Sequence, residues 1–437
     1  MAAQIRLPGR AEPLVIPEPG WAATYPPPSS RRVYAAAHVA AAPVPARHAG
    51  RGGPGGGGGS LGSGGAGGSG SGGVVAGGAG GAGAGGPGAG GMRAGVLSAG
   101  GSGGVGEDAE IDWEATLRFR DHLWAHGFGV AEAMDTAQRG MGLSWEQARE
   151  LIARSARRAR QRGGTIAAGV GTDQLADGES YPIARIITAY EEQLDAVQSV
   201  GAGVILMASR ALAASARSAQ DYLDVYGELL KQAQRPVILH WLGEVFDPAL
   251  HGYWGSPDFG AAAGAVLDLI DRAAGQVDGI KLSVLDAGQE VALRRRLPPG
   301  VRLYTGDDFD YAQLIRGDAA GHSDALLGAF AAITAPAAAA LHFLDSGDVA
   351  AYDAAMGPTI PLSRLVFEPP TPYYKVGVAF LAWLNGLQPH FAMLGGLHHS
   401  RPAGHLIRVF ELAASARALT CPGLAVERMT EFLGTLT

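Results

Sequence analysis

From Glu107 onward the apolar positions of this chain fall into two alternating rhythms. Short, nearly continuous apolar runs are each followed by a stretch in which apolar residues recur every three to four positions. The first pattern suits strands buried on both faces, and the second suits amphipathic helices that cover them. Strands are expected over 32–39, 129–134, 165–169, 203–207, 236–239, 279–281, 301–304 and 324–328. Helices are expected over 112–126, 144–162, 182–200, 218–233, 260–274, 289–297 and 309–315. Asp112 and Ser144 stand where N-caps belong, and Gly127 and Gly201 stand just past helix ends. About eight strand–helix units of this length predict a parallel sheet closed into a (β/α)8 TIM barrel, an α/β fold. Beyond Pro336 the pattern turns helical over 348–355, 372–384 and 404–419, which predicts a C-terminal helical extension.

Two stretches break the rhythm. Residues 1–30 are Pro-rich and read as irregular. Residues 52–106 are almost entirely Gly, Ala and Ser and bury too little apolar surface to offset the entropy of ordering them. The expected organisation is therefore an N-terminal arm with the first barrel strand (1–44), a disordered Gly-rich insert (45–108), the barrel (109–345) and the helical extension (346–437). The insert falls in the first strand–helix loop, on the face where barrels build their sites.

Composition narrows the function classes. The 437 residues are 47% hydrophobic and 17% charged, with a formal net charge of −7. That mixture lacks the basic footprint of a nucleic-acid binder. No apolar run reaches the roughly 18–20 residues of a membrane span. Arg31-Arg32 and the apolar residues after them imitate a secretion signal but suit a buried strand better. One cysteine, Cys421, rules out a disulfide within the chain, which fits a cytoplasmic protein.

In a barrel the chemistry comes from strand C-termini. The candidates are His38, Asp135, Thr136, Gly169, Met207, His240, Lys281, the run Thr305-Gly306-Asp307-Asp308, and Gly328. Lys281 is the only lysine among them. A buried, neutral lysine amine attacks a ketone or aldehyde to give an imine. The alternative is an ion pair between Lys281 and Asp307 or Asp308. His38, Glu132, Asp135 and His240 could instead converge on a metal ion, although no close ligand spacing supports this. His398, His399 and His405 are weaker candidates of the same kind.

Gly279-Ile280-Lys281-x-Ser283 resembles the Schiff-base lysine motif of the dihydrodipicolinate synthase/N-acetylneuraminate lyase family. Tyr304-Thr-Gly-Asp-Asp308 is similar to that family's seventh-strand signature. Gly321-His322 with Asp324-Ala-Leu-Leu-Gly328 is similar to its eighth strand, and Pro372-Tyr-Tyr-Lys-Val376 to the start of its C-terminal helices. The resemblance covers about residues 109–385 and marks a divergent branch. It implies a class I aldolase-type lyase or dehydratase that forms a covalent imine on Lys281, without a cofactor or metal. The implied partner is a small carbonyl compound such as a sugar-derived 2-oxo acid, and the implied assembly is a dimer or tetramer. Thr136, Asp135, Gly306, Asp307 and Gly328 would contact the substrate.

Three departures shape the expectation. His240 stands where the family has a catalytic tyrosine, so a histidine would exchange the protons. Asp135 puts a negative charge beside Thr136, where the family binds a carboxylate. This favours a substrate with hydroxyls at that end over pyruvate itself. The tyrosine relay expected after the fourth strand is absent, since Met207-Ala-Ser-Arg210 stands there, and genuine dihydrodipicolinate synthase activity is not expected. The rival functions are a metal-dependent barrel isomerase or lyase and a catalytically inactive ligand-binding barrel.

Overall fold

The computed structural model describes residues 3–42 and 110–436. The expected insert, 45–108, lies outside the described residues. Eight parallel strands close into a barrel. They are β1 (Val33–Ala36), β2 (Gly129–Glu132), β3 (Ile166–Val170), β4 (Gly203–Leu206), β5 (Val237–Leu242), β6 (Val277–Ser283), β7 (Arg302–Thr305) and β8 (Asp324–Leu327). The strands pair in sequence order, and β8 returns to β1. The (β/α)8 reading of the pattern is the fold observed, with C-terminal helices added to it.

The helices begin where their caps allow. Asp112 accepts from the Ala115 N–H, and Asp258 accepts from the Ala261 N–H. Ser144 and Gln147 form a reciprocal capping box, and Gly163 closes the same helix at φ +66°, where a side chain would be strained.

The barrel interior explains why its site opens at one end. Ala36, Ala131, Ala167, Ile205, Ile238, Tyr304 and Leu326 fill it, with Tyr34 packed against them. The Tyr34 and Tyr304 rings meet edge to face at 6.2 Å. The Tyr304 hydroxyl donates to Asp278 at 2.5 Å, and Arg32 holds the other carboxylate oxygen of Asp278 at 2.6 Å. Tyrosines therefore plug the N-terminal end, and the space above them is left to the strand C-termini.

The N-terminal arm is not irregular throughout. Ala3–Ile5 pairs antiparallel with Leu14–Ile16. This small hairpin buries Ile5 and Ile16 and packs against the helices Ala403–Ser415 and Pro422–Gly434. Helix Thr334–Asp345 follows β8, and the extension also contains helices Val349–Met356, Thr359–Val366 and Tyr374–Leu384. Tyr374–Leu384 is buried at every position, and its first turn brings Tyr374 and Lys375 to the barrel mouth. Among the described residues no helix is long and apolar enough to cross a membrane.

Candidate active site

The site starts from strand register. His240 on β5 lies opposite Lys281 on β6, and Lys281 lies opposite Tyr304 on β7. Laterally paired residues of a parallel sheet point to the same face. With Tyr304 in the interior, His240 and Lys281 therefore point inward as well. The next inward position, just past the end of β7, is Gly306. A Cβ there would come within 2.1 Å of the Ser283 hydroxyl and 2.9 Å of Lys281 Cε. The glycine is required so that the lysine side chain can rise past the strand end. Gly306→Ala should therefore lower the rate of any reaction at Lys281 by at least about tenfold, since misplacing a reacting group by even ~1 Å is that costly. Steady-state kinetics beside a melting curve would separate this from unfolding.

Lys281 is 6% exposed and has no hydrogen-bond or ion-pair partner among the described residues. The expected alternative, a salt bridge to Asp307 or Asp308, is not formed. Burial lowers the Lys281 pKa from its ordinary value, against the opposing pull of Asp135 and Asp308. A buried amine so placed favours its neutral, nucleophilic form.

Of the two adjacent aspartates, Asp308 rather than Asp307 faces the lysine electrostatically. Asp307 Oδ1 accepts from the N–H groups of Phe309 (2.8 Å) and Asp310 (2.9 Å), so that carboxylate shapes the loop after β7. Asp308 accepts from the Ala329 N–H at 2.9 Å. Burial pushes its carboxyl above the ordinary range, while Lys281 draws it back down. Asp308 thus favours the protonated, neutral acid beside the amine.

His240 is buried, with Nε2 3.2 Å from the Ser283 hydroxyl and no partner for Nδ1. Burial and the neighbouring Lys281 push its pKa well below the ordinary histidine value, against Asp135. It is a neutral imidazole, able to accept a proton but poor at holding one.

The opposite wall comes from β2 and the extension. After β2 the chain turns through Ala133, whose φ of +50° is strained for a residue with a side chain. Glu132 holds the Ala133 N–H at 2.9 Å, and Arg139 reaches the Ala133 carbonyl at 3.3 Å. The turn delivers Asp135 and Thr136. Tyr374 donates to Asp135 Oδ2 at 2.5 Å and lies 2.7 Å from the Thr136 hydroxyl. Gly328 leaves room for this group, because a Cβ there would sit 3.1 Å from the Tyr374 ring. Burial alone would raise the Asp135 pKa, but Lys375, Lys281 and the Tyr374 hydroxyl hold it below the ordinary value. Asp135 therefore favours its anionic form.

A cavity of about 450 Å³ opens above these groups, with Asp135, His240, Tyr374 and Lys375 on its wall. Lys281 is beside this wall rather than on it, as the strand neighbour of His240. Tyr374 and Lys375 were not among the candidates drawn from the sequence, whereas Asp308 was, as the last residue of the run Thr305-Gly306-Asp307-Asp308. Tyr374 and Lys375 do fall within a quoted family match, but nothing in local periodicity brings a helix some ninety residues beyond β6 over the mouth.

The proposed metal ligands do not converge. Glu132 points away from the interior into a two-point ion pair with Arg120, at 2.7 and 2.9 Å, and both side chains are fully buried. His38 packs on Phe119 and bonds Gln388 at 2.6 Å. His398 accepts from the Met393 N–H, and His405 pairs with Glu368. Among the described residues no group of three His, Cys, Asp or Glu side chains is placed to hold a metal ion.

Comparison with known proteins bears on the family and the fold. Residues 97–436 match the family described as "Protein of unknown function (DUF993)". No curated protein sequence matches the chain. Among solved structures, it is similar to the dihydrodipicolinate synthase of Oceanobacillus iheyensis, at 17% identity and a TM-score of 0.53, covering 70% of this chain and 90% of that one. The synthase from Aquifex aeolicus is 13% identical with a TM-score of 0.55, covering 71% and 94%. A prophage protein of the dihydrodipicolinic acid synthase family from E. coli, solved in complex with pyruvate, is 16% identical with a TM-score of 0.56, covering 70% and 94%. At these identities the likeness is one of fold, and it is the fold that the lysine motif and the element order imply.

Proposed function

The chain belongs to the DUF993 family and has the dihydrodipicolinate synthase fold, and from that premise we propose that it is a Schiff-base lyase or dehydratase of the class I aldolase type. One observation carries the reading: the Lys281 amine is buried at the inward-facing end of β6 without a hydrogen-bond or ion-pair partner among the described residues. A burial cost of this kind is retained where the neutral amine is used.

The steps follow from the groups around it. The Lys281 nitrogen lone pair attacks the substrate carbonyl carbon, and the C=O π pair moves to oxygen, which takes a proton. Loss of water from the resulting carbinolamine needs a second proton, and the neutral Asp308 carboxyl beside Lys281 suits that donation. The protonated imine accepts the electron pair of a neighbouring C–C bond, or a proton is lost beside it and a C–O bond then breaks. His240, neutral and within reach of Ser283, accepts the proton that is released. After C–C cleavage the resulting enamine takes a proton back at carbon, and water then hydrolyses the imine, releasing the carbonyl product and restoring the amine. Asp135 accepts hydrogen bonds from substrate hydroxyls, which favours a sugar-derived 2-oxo acid over pyruvate.

The fate of His240 checks this division of labour. His240→Ala should lower turnover by roughly 10²–10⁴-fold, the usual worth of a positioned acid–base group. It should leave the imine on Lys281 trappable by borohydride. Unchanged turnover would remove the histidine from the scheme. The proposal as a whole is tested by exposing the protein to a panel of 2-oxo acids, from pyruvate to hydroxylated hexonate derivatives, before borohydride reduction. A mass increase equal to the reduced adduct is the expected result.

A second reading rests on the position of Lys281 beside the cavity wall. It suits a barrel that binds ligand against Asp135, His240 and Lys375 without condensing with it. A saturable ligand that never becomes covalent would favour that reading.

A further inference from the structure

The chain contains three lysines, Lys231, Lys281 and Lys375. Lys231 is on the surface, paired with Glu228. The other two are buried, and both act electrostatically on one carboxylate, Asp135, Lys375 more strongly than Lys281. Lys281 accounts for the carbonyl chemistry. Lys375 has no part in it, although it is 2% exposed and on the cavity wall.

The donors of Lys375 are largely unspent. Its Nζ donates to the Pro372 carbonyl at 2.9 Å, and no carboxylate lies within 4.0 Å of it among the described residues. The ammonium rests over the Tyr374 ring, 4.6 Å from its centre. It sits in the first turn of the helix Tyr374–Leu384, the end of a helix that favours negative charge. The other cations of the wall are committed. Arg139 binds Asp173, Gln193 and the carbonyls of Gly169 and Ala133. Arg210 binds Asp177 and Asp247. The Thr136 hydroxyl, where a carboxylate was expected to bind, is held by Tyr374.

We propose that Lys375 anchors the anionic end of the substrate while Lys281 takes its carbonyl. The ligand class is then a hydroxylated 2-oxo acid, whose ketone and adjacent carboxylate the two lysines take, with Asp135 accepting from its hydroxyls. For its substrate class this inference rests on the reading of Lys281 given above. Burial lowers the Lys375 pKa to about 8, against the pull of Asp135. The charge that acts on it is that of Asp135, its ammonium lies over the Tyr374 ring, and the neutral His240 shares the cavity wall. Lys375 is thus mostly protonated at neutral pH, and a bound carboxylate raises its pKa further.

Because there are three lysines, the full-length protein labelled with ¹³Cε-lysine gives three resonances, assigned with Lys375→Met and Lys281→Met. Propanoate (a carboxylate without a ketone), pyruvate and hydroxyacetone (a ketone without a carboxylate) are the probes. Propanoate and pyruvate should raise the Lys375 titration midpoint by about one pH unit, as an opposite charge in contact does. Hydroxyacetone should not, and Lys231 should not respond to any of them. Lys375→Met should need about tenfold more pyruvate to half-saturate adduct formation, with Lys375→Arg restoring most of the loss. A Lys375 midpoint unmoved by both carboxylates overturns the anchor. If Lys375 responds while Lys281 never condenses, the anchor stands and the imine reading fails. If Lys281 condenses while Lys375 is unmoved, the anchor alone fails.

Discussion

Lys281→Ala should abolish turnover, with a loss of roughly 10⁴-fold or more, the scale on which removing a covalent nucleophile is felt. Lys281→Arg should be equally inactive, although it keeps a positive charge, because a guanidinium does not deprotonate to a nucleophile in proteins. The two variants separate an imine from a merely electrostatic role. Lys281→Ala should cost little stability, since the wild-type amine has no hydrogen-bond or ion-pair partner to leave unsatisfied, whereas Lys281→Arg buries a larger group that stays charged and should lower the melting temperature. The pH dependence of adduct formation has a fixed sign. Attack needs the neutral amine, so the rate should fall as pH drops below the Lys281 pKa and level off above it. Since burial moves that pKa below the ordinary lysine value, the plateau should begin at lower pH than for a free amine. Rapid-quench borohydride trapping across pH reads this directly.

The second large effect is on stability and lies outside the barrel interior. Glu132→Ala should destabilise the protein by about 3–5 kcal/mol, because it leaves a fully buried Arg120 without its counter-charge. Arg120 also donates to the carbonyls of His38 and Thr116, so it cannot leave the interior without exposing both. Replacing both members, as Arg120→Leu with Glu132→Leu, should recover much of the loss, since an apolar pair of similar size often matches a buried ion pair. Urea unfolding of the single and double variants measures this. Glu132 also holds the strained Ala133 turn that delivers Asp135. The double variant should therefore regain stability while still binding substrate less well than the wild type.

The barrel was legible because its strands alternate so regularly with its helices. Strand boundaries shifted where pairing, rather than composition, decides them. The fifth strand was expected to stop before His240, a polar residue. In the structure β5 runs on to Leu242, because His240, Trp241 and Leu242 pair with Lys281, Leu282 and Ser283. The hairpin at Ala3–Ile5 was hidden by its Pro-rich flanks, and its apolar face is covered by helices from the far end of the chain. Thr334–Asp345, rich in alanine and buried on nearly all sides, offers little amphipathic period to detect.

The site was legible in part for the same reason. Lys281 and His240 share one strand pair, so strand order alone brings them together. Asp135 and Thr136 follow from the end of β2. What local sequence could not show is the direction in which adjacent residues of a loop turn. Asp307 and Asp308 are equivalent by pattern, yet Asp307 accepts from N–H groups of its own loop while Asp308 accepts from the Ala329 N–H and acts electrostatically on the amine. Nor could periodicity show that Tyr374 and Lys375 close the cavity, since that depends on how the whole extension docks.

The central claim concerns one nitrogen atom, and peptide mapping after reductive trapping addresses it most directly. Protein incubated with a 2-oxo acid and reduced with borohydride should carry one adduct, in the peptide containing Gly279-Ile280-Lys281-Leu282. An adduct on Lys375 or Lys231, or no adduct from any carbonyl compound alongside undiminished turnover by Lys281→Ala, would contradict it.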